Sequence, residues 1–297
     1  MSKSMAIVMI VMMTSKVTGF LRETVLAANF GRNAMTDAYK VAFELPCLFL
    51  SIVIAAISAT FIPVYNSRLQ KGEKEAAHFV NNLYTMGMAL SVLISLVTLL
   101  FIDQLAVWMM PDAAPETQRL TVELARMMMP MGIFVFLHRL TTAYLQAKFH
   151  FAVPALAPLF GNLCILGSIV ISRGRSIEIV AIGSLVGMMM QFIVQVPSAL
   201  RADLRYKPTF DVRESGMREV AMLMIPVIIA SAFDSLYIVF DRMITSGNPG
   251  DITALDYGNR VSTMVSAVLL STIATVLYPN LVRDADDRAR YQRHLIL

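Results

Sequence analysis

The chain has 297 residues, of which 57% are hydrophobic and only 15% charged, with a formal net charge of +4. Soluble domains carry about 45–50% apolar and 25% charged residues, so the composition excludes an ordinary soluble fold and points to the membrane. The positive charge does not call for nucleic acid, because Lys and Arg gather in alternate loops as the positive-inside rule requires.

Taken in order, apolar runs of about 20 residues or more, enough to cross about 30 Å of hydrocarbon, recur along the whole chain. The spans fall near 5–28, 36–66, 77–102, 118–147, 153–172, 177–200, 217–246 and 252–282. The first lacks a small-residue cleavage site and reads as a retained helix. Pro111, Asp112 and Pro115 interrupt the chain between spans three and four, and Arg173–Gly174 makes a short turn between five and six. Several spans contain proline, at Pro46, Pro63, Pro130, Pro158, Pro226 and Pro279. The stretch 201–216 is basic and too polar to cross. It divides the chain into a six-helix transmembrane lobe, 1–200, a cytoplasmic basic linker, and the start of a second lobe, 217–297. After a basic run, Tyr291–Leu297 turns apolar again, like the first turns of a further helix, so the chain reads as the N-terminal part of a longer protein. The fold class is therefore all-α, a polytopic membrane helix bundle with eight spans.

Orientation follows from charge. One set of loops holds Arg68, Lys71, Lys74, Lys148, Arg201, Arg205, Lys207, Arg213, Arg218, Arg283, Arg288, Arg290 and Arg293. The other holds Arg32, Arg119, Arg173 and Arg175. The first set is assigned to the cytoplasm, and the N-terminus with it.

The first two spans carry charges that lipid does not tolerate: Lys16, Arg22, Glu23, then Asp37, Lys40 and Glu44. A charge at the bilayer centre costs roughly 2.5–3.5 kcal/mol even on lenient scales, so such groups face a protein interior or a watery cavity. Lys16 and Arg22 diverge by roughly 120° and about 9 Å along a helix, as adjacent parts of one wall. Arg grips phosphate with a planar fork, and Arg260 in span eight is a third cation for the same cavity. The competing reading is internal pairing, Arg22 with Glu23 or Asp37 and Lys40 with Glu44 one turn on. Asp234 and Asp241 share a helix face in span seven, and an intramembrane acid is a proton or sodium site by default. Gly183 and Gly187 form a small-residue packing stripe, and Gln191 and Gln195 bond to a neighbouring helix. Cys47 and Cys164 read as packing residues. No catalytic constellation, nucleotide loop or metal-ligand cluster occurs, so the chain is not read as an enzyme.

A weak internal repeat relates Asp37–Tyr39 to Asp256–Tyr257, each following a Gly-containing turn and a helix with an acid–base neighbour pair. Equal orientation of the copies implies two parallel halves with a site between them.

The segments Ser15-Lys-Val-Thr-Gly-Phe-Leu-Arg-Glu23, Phe30-Gly, Thr36-Asp-Ala-Tyr, Val41-Ala-Phe-Glu-Leu-Pro and Phe61-Ile-Pro-Val-Tyr resemble the MurJ (MviN) family, as do Phe151-Ala-Val-Pro-Ala-Leu-Ala-Pro and Tyr257-Gly-Asn-Arg260. That family comprises lipid II flippases of the multidrug/oligosaccharidyl-lipid/polysaccharide exporter superfamily. The resemblance implies two six-helix lobes around a central cavity and alternating access in a bacterial inner membrane. It implies an undecaprenyl-pyrophosphate-linked peptidoglycan precursor as substrate, with coupling to a sodium ion or the membrane potential and no other cofactor. It assigns substrate contact to Lys16, Arg22, Glu23, Asp37 and Arg260, and a sodium ligand to Asp241. Membrane lipid and cell-wall synthesis proteins are the partners it implies, and nucleic acid is not. Three departures stand out: Lys16 replaces an arginine, the arginines after Leu45–Pro46 are replaced by Cys47-Leu-Phe-Leu-Ser51, and Asn259 replaces an acid. They leave open an exporter of another polyprenyl-linked saccharide, or a multidrug/cation exporter of the same fold.

Overall fold

The computed structural model describes residues 3–263, with side chains from residue 10. Its regular elements are helices: α1 (Lys3–Phe30), α2 (Ala34–Glu44), α3 (Leu50–Lys71), α4 (Glu73–Leu100), α5 (Ile102–Met109), α6 (Pro115–Met128), α7 (Met131–Ala147), α8 (Ala152–Ser172), α9 (Ile177–Ile193), α10 (Val196–Arg201) and α11 (Ser215–Thr245). Residues 251–263 are helical as well. Two compact units divide the chain, Met1–Thr253 and Ala254–Leu297.

Among the described residues, five elements are long and apolar enough to cross a membrane: α3, α4, α8, α9 with α10, and α11. The pair α6–α7, bent by 49°, makes a sixth. The bend falls at Pro130, whose ring and missing N–H interrupt the helical ladder. The long α1 corresponds to the first expected span. The second expected span, 36–66, is corrected by the structure: it is two helices, α2 and α3, separated by a 3-10 turn at Leu45–Cys47 that contains Pro46. The Leu48 carbonyl at this break is taken up by the hydroxyls of Ser51, 2.8 Å, and Ser235, 3.3 Å. Pro63, Pro158 and Pro226, by contrast, lie inside continuous helices. The eighth expected span is described only to residue 263, and Pro279 and the basic run 283–293 lie outside the described residues.

The short helix α5 was not expected. It forms because Phe101 leaves helical geometry, φ −106° and ψ 14°, and redirects the chain before Pro115 starts α6. The turn into α2 depends on Gly31, whose φ of +73° favours glycine, and on a reciprocal cap. Asn33 Oδ1 accepts the Thr36 amide at 3.1 Å, and Thr36 Oγ1 accepts the Asn33 amide at 3.2 Å.

The buried apolar side chains form two cores. One gathers Leu26, Tyr39, Val41, Leu124, Ile169 and Val180 from α1, α2, α6, α8 and α9. The other gathers Phe61, Phe79, Phe136, Leu140, Tyr144 and Val220 from α3, α4, α7 and α11. Helix α8 packs tightly between α1 and α9. At Gly187 a Cβ would come within 2.8 Å of the Gly161 carbonyl oxygen, so the expected Gly183/Gly187 stripe is a site of backbone-level contact between α8 and α9.

The basic stretch between α10 and α11 is non-helical over 202–214 and is strapped to α4. The buried Asn82 donates to the Asp211 carbonyl, 2.7 Å, and accepts its amide, 2.9 Å. Asn81 accepts the Lys207 amide, 3.2 Å, and Thr85 accepts that of Thr209, 3.2 Å. Arg68 then pins the start of α11 through Ser215, 2.6 Å, and Glu219, 2.9 Å.

Candidate functional site

Five of the six charges named in the first two expected spans, all but Lys16, resolve into three places. The first is a cluster between α1, α2 and α8. Arg22 donates through Nη2 to Glu23 Oε1, 2.5 Å, and through Nη1 to Asn162 Oδ1 on α8, 3.1 Å. The other Glu23 oxygen accepts from Lys40 on α2. Glu23 and Lys40 are buried, and Arg22 keeps 14% of its side chain exposed. One carboxylate thus holds two cations from two helices, the condition under which a charge survives burial. A guanidinium has five N–H donors in a planar fork, and Arg22 leaves part of that fork uncommitted.

The second place is the N-terminus of the helix over 251–263. Asp37, fully inside the protein, accepts the Gly250 amide at 2.5 Å through Oδ2, and the Thr253 amide at 2.8 Å and hydroxyl at 2.5 Å through Oδ1. This is a helix cap supplied by a residue more than 200 positions away. It places negative charge where the backbone donors and helix dipole favour it. The same turn is held by Arg32, whose Nη2 lies 2.7 Å from Asp251 Oδ1 on the surface, and by Ser246, which accepts the Asp112 amide at 3.4 Å.

The third joins α2 to α11. Arg242 donates to both Glu44 oxygens, at 3.0 Å from Nε and 2.5 Å from Nη2. Arg242 is buried while Glu44 is a quarter exposed. Lys40 and Glu44, which the competing reading paired along their own helix, therefore reach α1 and α11 respectively.

Of the site residues expected from sequence, Arg22 and Glu23 are brought together. Lys16 lies on the exposed side of α1, two helical turns before Arg22. Asp37 is placed with Gly250 and Thr253. Arg260 belongs to the second unit, on the helix over 251–263. Asp241 is half-buried near the end of α11, where its carbonyl accepts the Thr245 hydroxyl at 2.7 Å. Among the described residues no group of three or more His, Cys, Asp or Glu side chains is placed to hold a metal ion, so Asp241 has no such group around it. Asp234 is exposed on α11.

Two participants escaped the sequence reading. Asn162 carried a signal, an amide in the middle of an apolar span, which must find a partner there. Arg242 follows Asp241 directly in sequence, and its pairing with a residue 198 positions away has no local signature.

Comparison with known proteins adds the following. The family model described as lipid II flippase MurJ matches residues 26–295. A probable lipid II flippase MurJ of Synechocystis is 30% identical over 94% of this chain and 55% of its own length. The corresponding protein of Rickettsia prowazekii is 28% identical over 90% of this chain and 54% of its own. A lipid II flippase MurJ of Burkholderia cenocepacia is 28% identical over 92% and 56%. The chain spans about half the length of the curated relatives it matches. A solved structure of lipid II flippase MurJ in an inward closed conformation superposes with a TM-score of 0.81 at 22% identity, covering 97% of this chain and 60% of that one. An inward-facing multidrug resistance transporter of the MATE family superposes at 0.70 with 15% identity, which is a likeness of fold alone.

Proposed function

We propose, on the premise that this chain belongs to the MurJ family of lipid II flippases, that the protein moves an undecaprenyl-pyrophosphate-linked peptidoglycan precursor across the bacterial inner membrane. The movement is from the inner to the outer leaflet, by alternating access. The observation that carries this reading is Arg22: a guanidinium held from two sides by Glu23 and Asn162, with the rest of its fork left to meet an anion. Pyrophosphate suits such a fork, because planar N–H pairs match phosphate oxygens. Lys16, exposed on the same helix, supplies a second cation on this reading.

The remaining charges act as a closure. On this reading α11 opens the second lobe, and the links from Asp37 to residues 250–253 and from Glu44 to Arg242 hold the outer end shut while substrate enters from the cytoplasm. The Lys- and Arg-rich turns at the opposite end, including the strap over 202–214, support a cytoplasmic location for that end and for the N-terminus on this reading. A sodium ion at Asp241 would need ligands from beyond the described residues, and omission of sodium from a flipping assay checks it.

Depletion rescue tests the function. The gene, expressed as encoded in a bacterium depleted of its own lipid II flippase, is expected to restore growth, and Arg22→Ala is expected to fail despite normal membrane insertion. Rescue by both forms would remove Arg22 from substrate handling. Rescue by neither would favour another polyprenyl-linked saccharide, in keeping with Lys16 and the arginines missing after Pro46.

A further inference from the structure

Arginine is long and flexible, and a guanidinium grips a diphosphate well only if its plane is fixed beforehand. In this chain α8 supplies the constraint. Asn162 stands in the middle of an apolar helix and directs its amide at α1, with Oδ1 accepting from Arg22 Nη1 at 3.1 Å and Nδ2 donating to the Ser15 carbonyl at 3.2 Å. Ser15 and Arg22 are seven residues apart and share a face of α1, so one amide spans two turns. Its orientation is determined, since the Ser15 carbonyl can only accept and the guanidinium can only donate. Gly19 lies between them, and a Cβ there would come 3.3 Å from Asn162 Nδ2. Glu23 holds the other terminal nitrogen and is itself held by Lys40. The two ends of the guanidinium are thus fixed from opposite sides.

We propose that Asn162 is a positioning residue that aims the Arg22 guanidinium at an anionic pyrophosphate head group. This rests on the assignment of Arg22 above. It assigns a specificity role to α8, a helix with no charge of its own between Ala152 and Ser172.

A double-mutant cycle tests it on the protein as its gene encodes it, purified in detergent. The probe is undecaprenyl pyrophosphate, with undecaprenol as the tail without the charged head, and binding is read by native mass spectrometry. Arg22→Ala is expected to weaken the pyrophosphate probe by about tenfold or more, and Asn162→Ala by about three- to tenfold, with undecaprenol unaffected. In the Arg22→Ala background, Asn162→Ala is expected to add nothing. Gly19→Ala presses a methyl group on the amide without deleting a polar group, and is expected to weaken the probe about twofold, again only while Arg22 is present. Equal losses from Asn162→Ala in both backgrounds, or no loss in either, would overturn the proposal and leave Asn162 as a tie between α1 and α8. No loss from Arg22→Ala itself would overturn the assignment of Arg22 instead.

Discussion

Replacing Asp37 by alanine removes the acceptor of three buried donors at once: the amides of Gly250 and Thr253 and the Thr253 hydroxyl. A hydrogen bond to a charged partner contributes about 1.5–3 kcal/mol, and a lost helix cap alone costs about 1 kcal/mol. The turn at 246–250 can admit water once loosened, which recovers part of the loss. A net cost of about 3 kcal/mol is the resulting expectation, or roughly a hundredfold in the opening equilibrium of the turn. Asp37→Asn keeps one acceptor oxygen for Thr253 and turns its NH2 toward the Gly250 amide, so it should cost about 1.5 kcal/mol, roughly tenfold. Hydrogen–deuterium exchange reads this directly, because the Gly250 and Thr253 amides are protected by the carboxylate itself. Exchange of a peptide covering 246–254 should accelerate by those factors in the two variants. Asp251→Asn, which removes an exposed ion pair with Arg32 and weakens an exposed hydrogen bond from Asn248, should change it by less than about threefold. If Asp37→Ala leaves exchange at Gly250 and Thr253 within threefold of the parent, the carboxylate cap does not hold this turn.

Three further outcomes follow from the packing. Asn82→Ala strips both backbone bonds from Asp211 and should free the strap over 202–214, raising the rate of tryptic cleavage at Arg205 and Arg213 by about tenfold or more, since two bonds of about 1 kcal/mol each are lost. Equal cleavage rates in variant and parent would mean that other contacts hold the strap. Gly187→Ala, whose new methyl meets the backbone of Gly161, should lower the thermal midpoint in detergent, with a cost of about 1–3 kcal/mol. Gly167→Ala, with open space around its Cβ, should leave the midpoint unchanged or slightly raise it, and a drop as large as that of Gly187→Ala would contradict the steric account.

The helical membrane architecture was legible because apolar runs of spanning length are a strong signal that few alternatives imitate. The fate of each proline was not. Pro46 ends a helix and Pro63, in the same expected span, does not, although the residue is identical. The difference lies in tertiary partners: the carbonyl released near Pro46 meets hydroxyls from Ser51 and Ser235, the latter on α11. The ion pairs show the same limit. The adjacency of Arg22 and Glu23 could be read directly. The pairing of Lys40 with Glu44 was inferred from a helix rule that contributes only about 0.2–0.5 kcal/mol, and a burial-driven tertiary pair overrides so small a preference. The α1–α2–α8 cluster and the Asp37 cap could not be found by spacing, because their members lie 17 to 216 residues apart.

Helix α2 explains why charges are tolerated at the start of this chain. Asp37, Lys40 and Glu44 stand at i, i+3 and i+7, one face of an eleven-residue helix. Each leaves that face toward a different element: Asp37 to residues 250–253, Lys40 to Glu23 beside Arg22, and Glu44 to Arg242 on α11. Because the chain breaks at Pro46, α2 and α3 are separate helices joined by a 3-10 turn. An anion bound by the rest of the Arg22 fork adds negative charge beside Glu23 and so alters the charge balance at Lys40, on the helix that also carries Asp37 and Glu44. On the proposed reading, this gives substrate binding at α1 a physical route to the outer closure through a single short helix. The route requires Lys40 to be charged and paired with Glu23. Lys40→Met should therefore uncouple undecaprenyl pyrophosphate from exchange at Gly250 and Thr253 even at probe concentrations that saturate Arg22. If added probe changes that exchange equally in Lys40→Met and in the parent, α2 is not the connection.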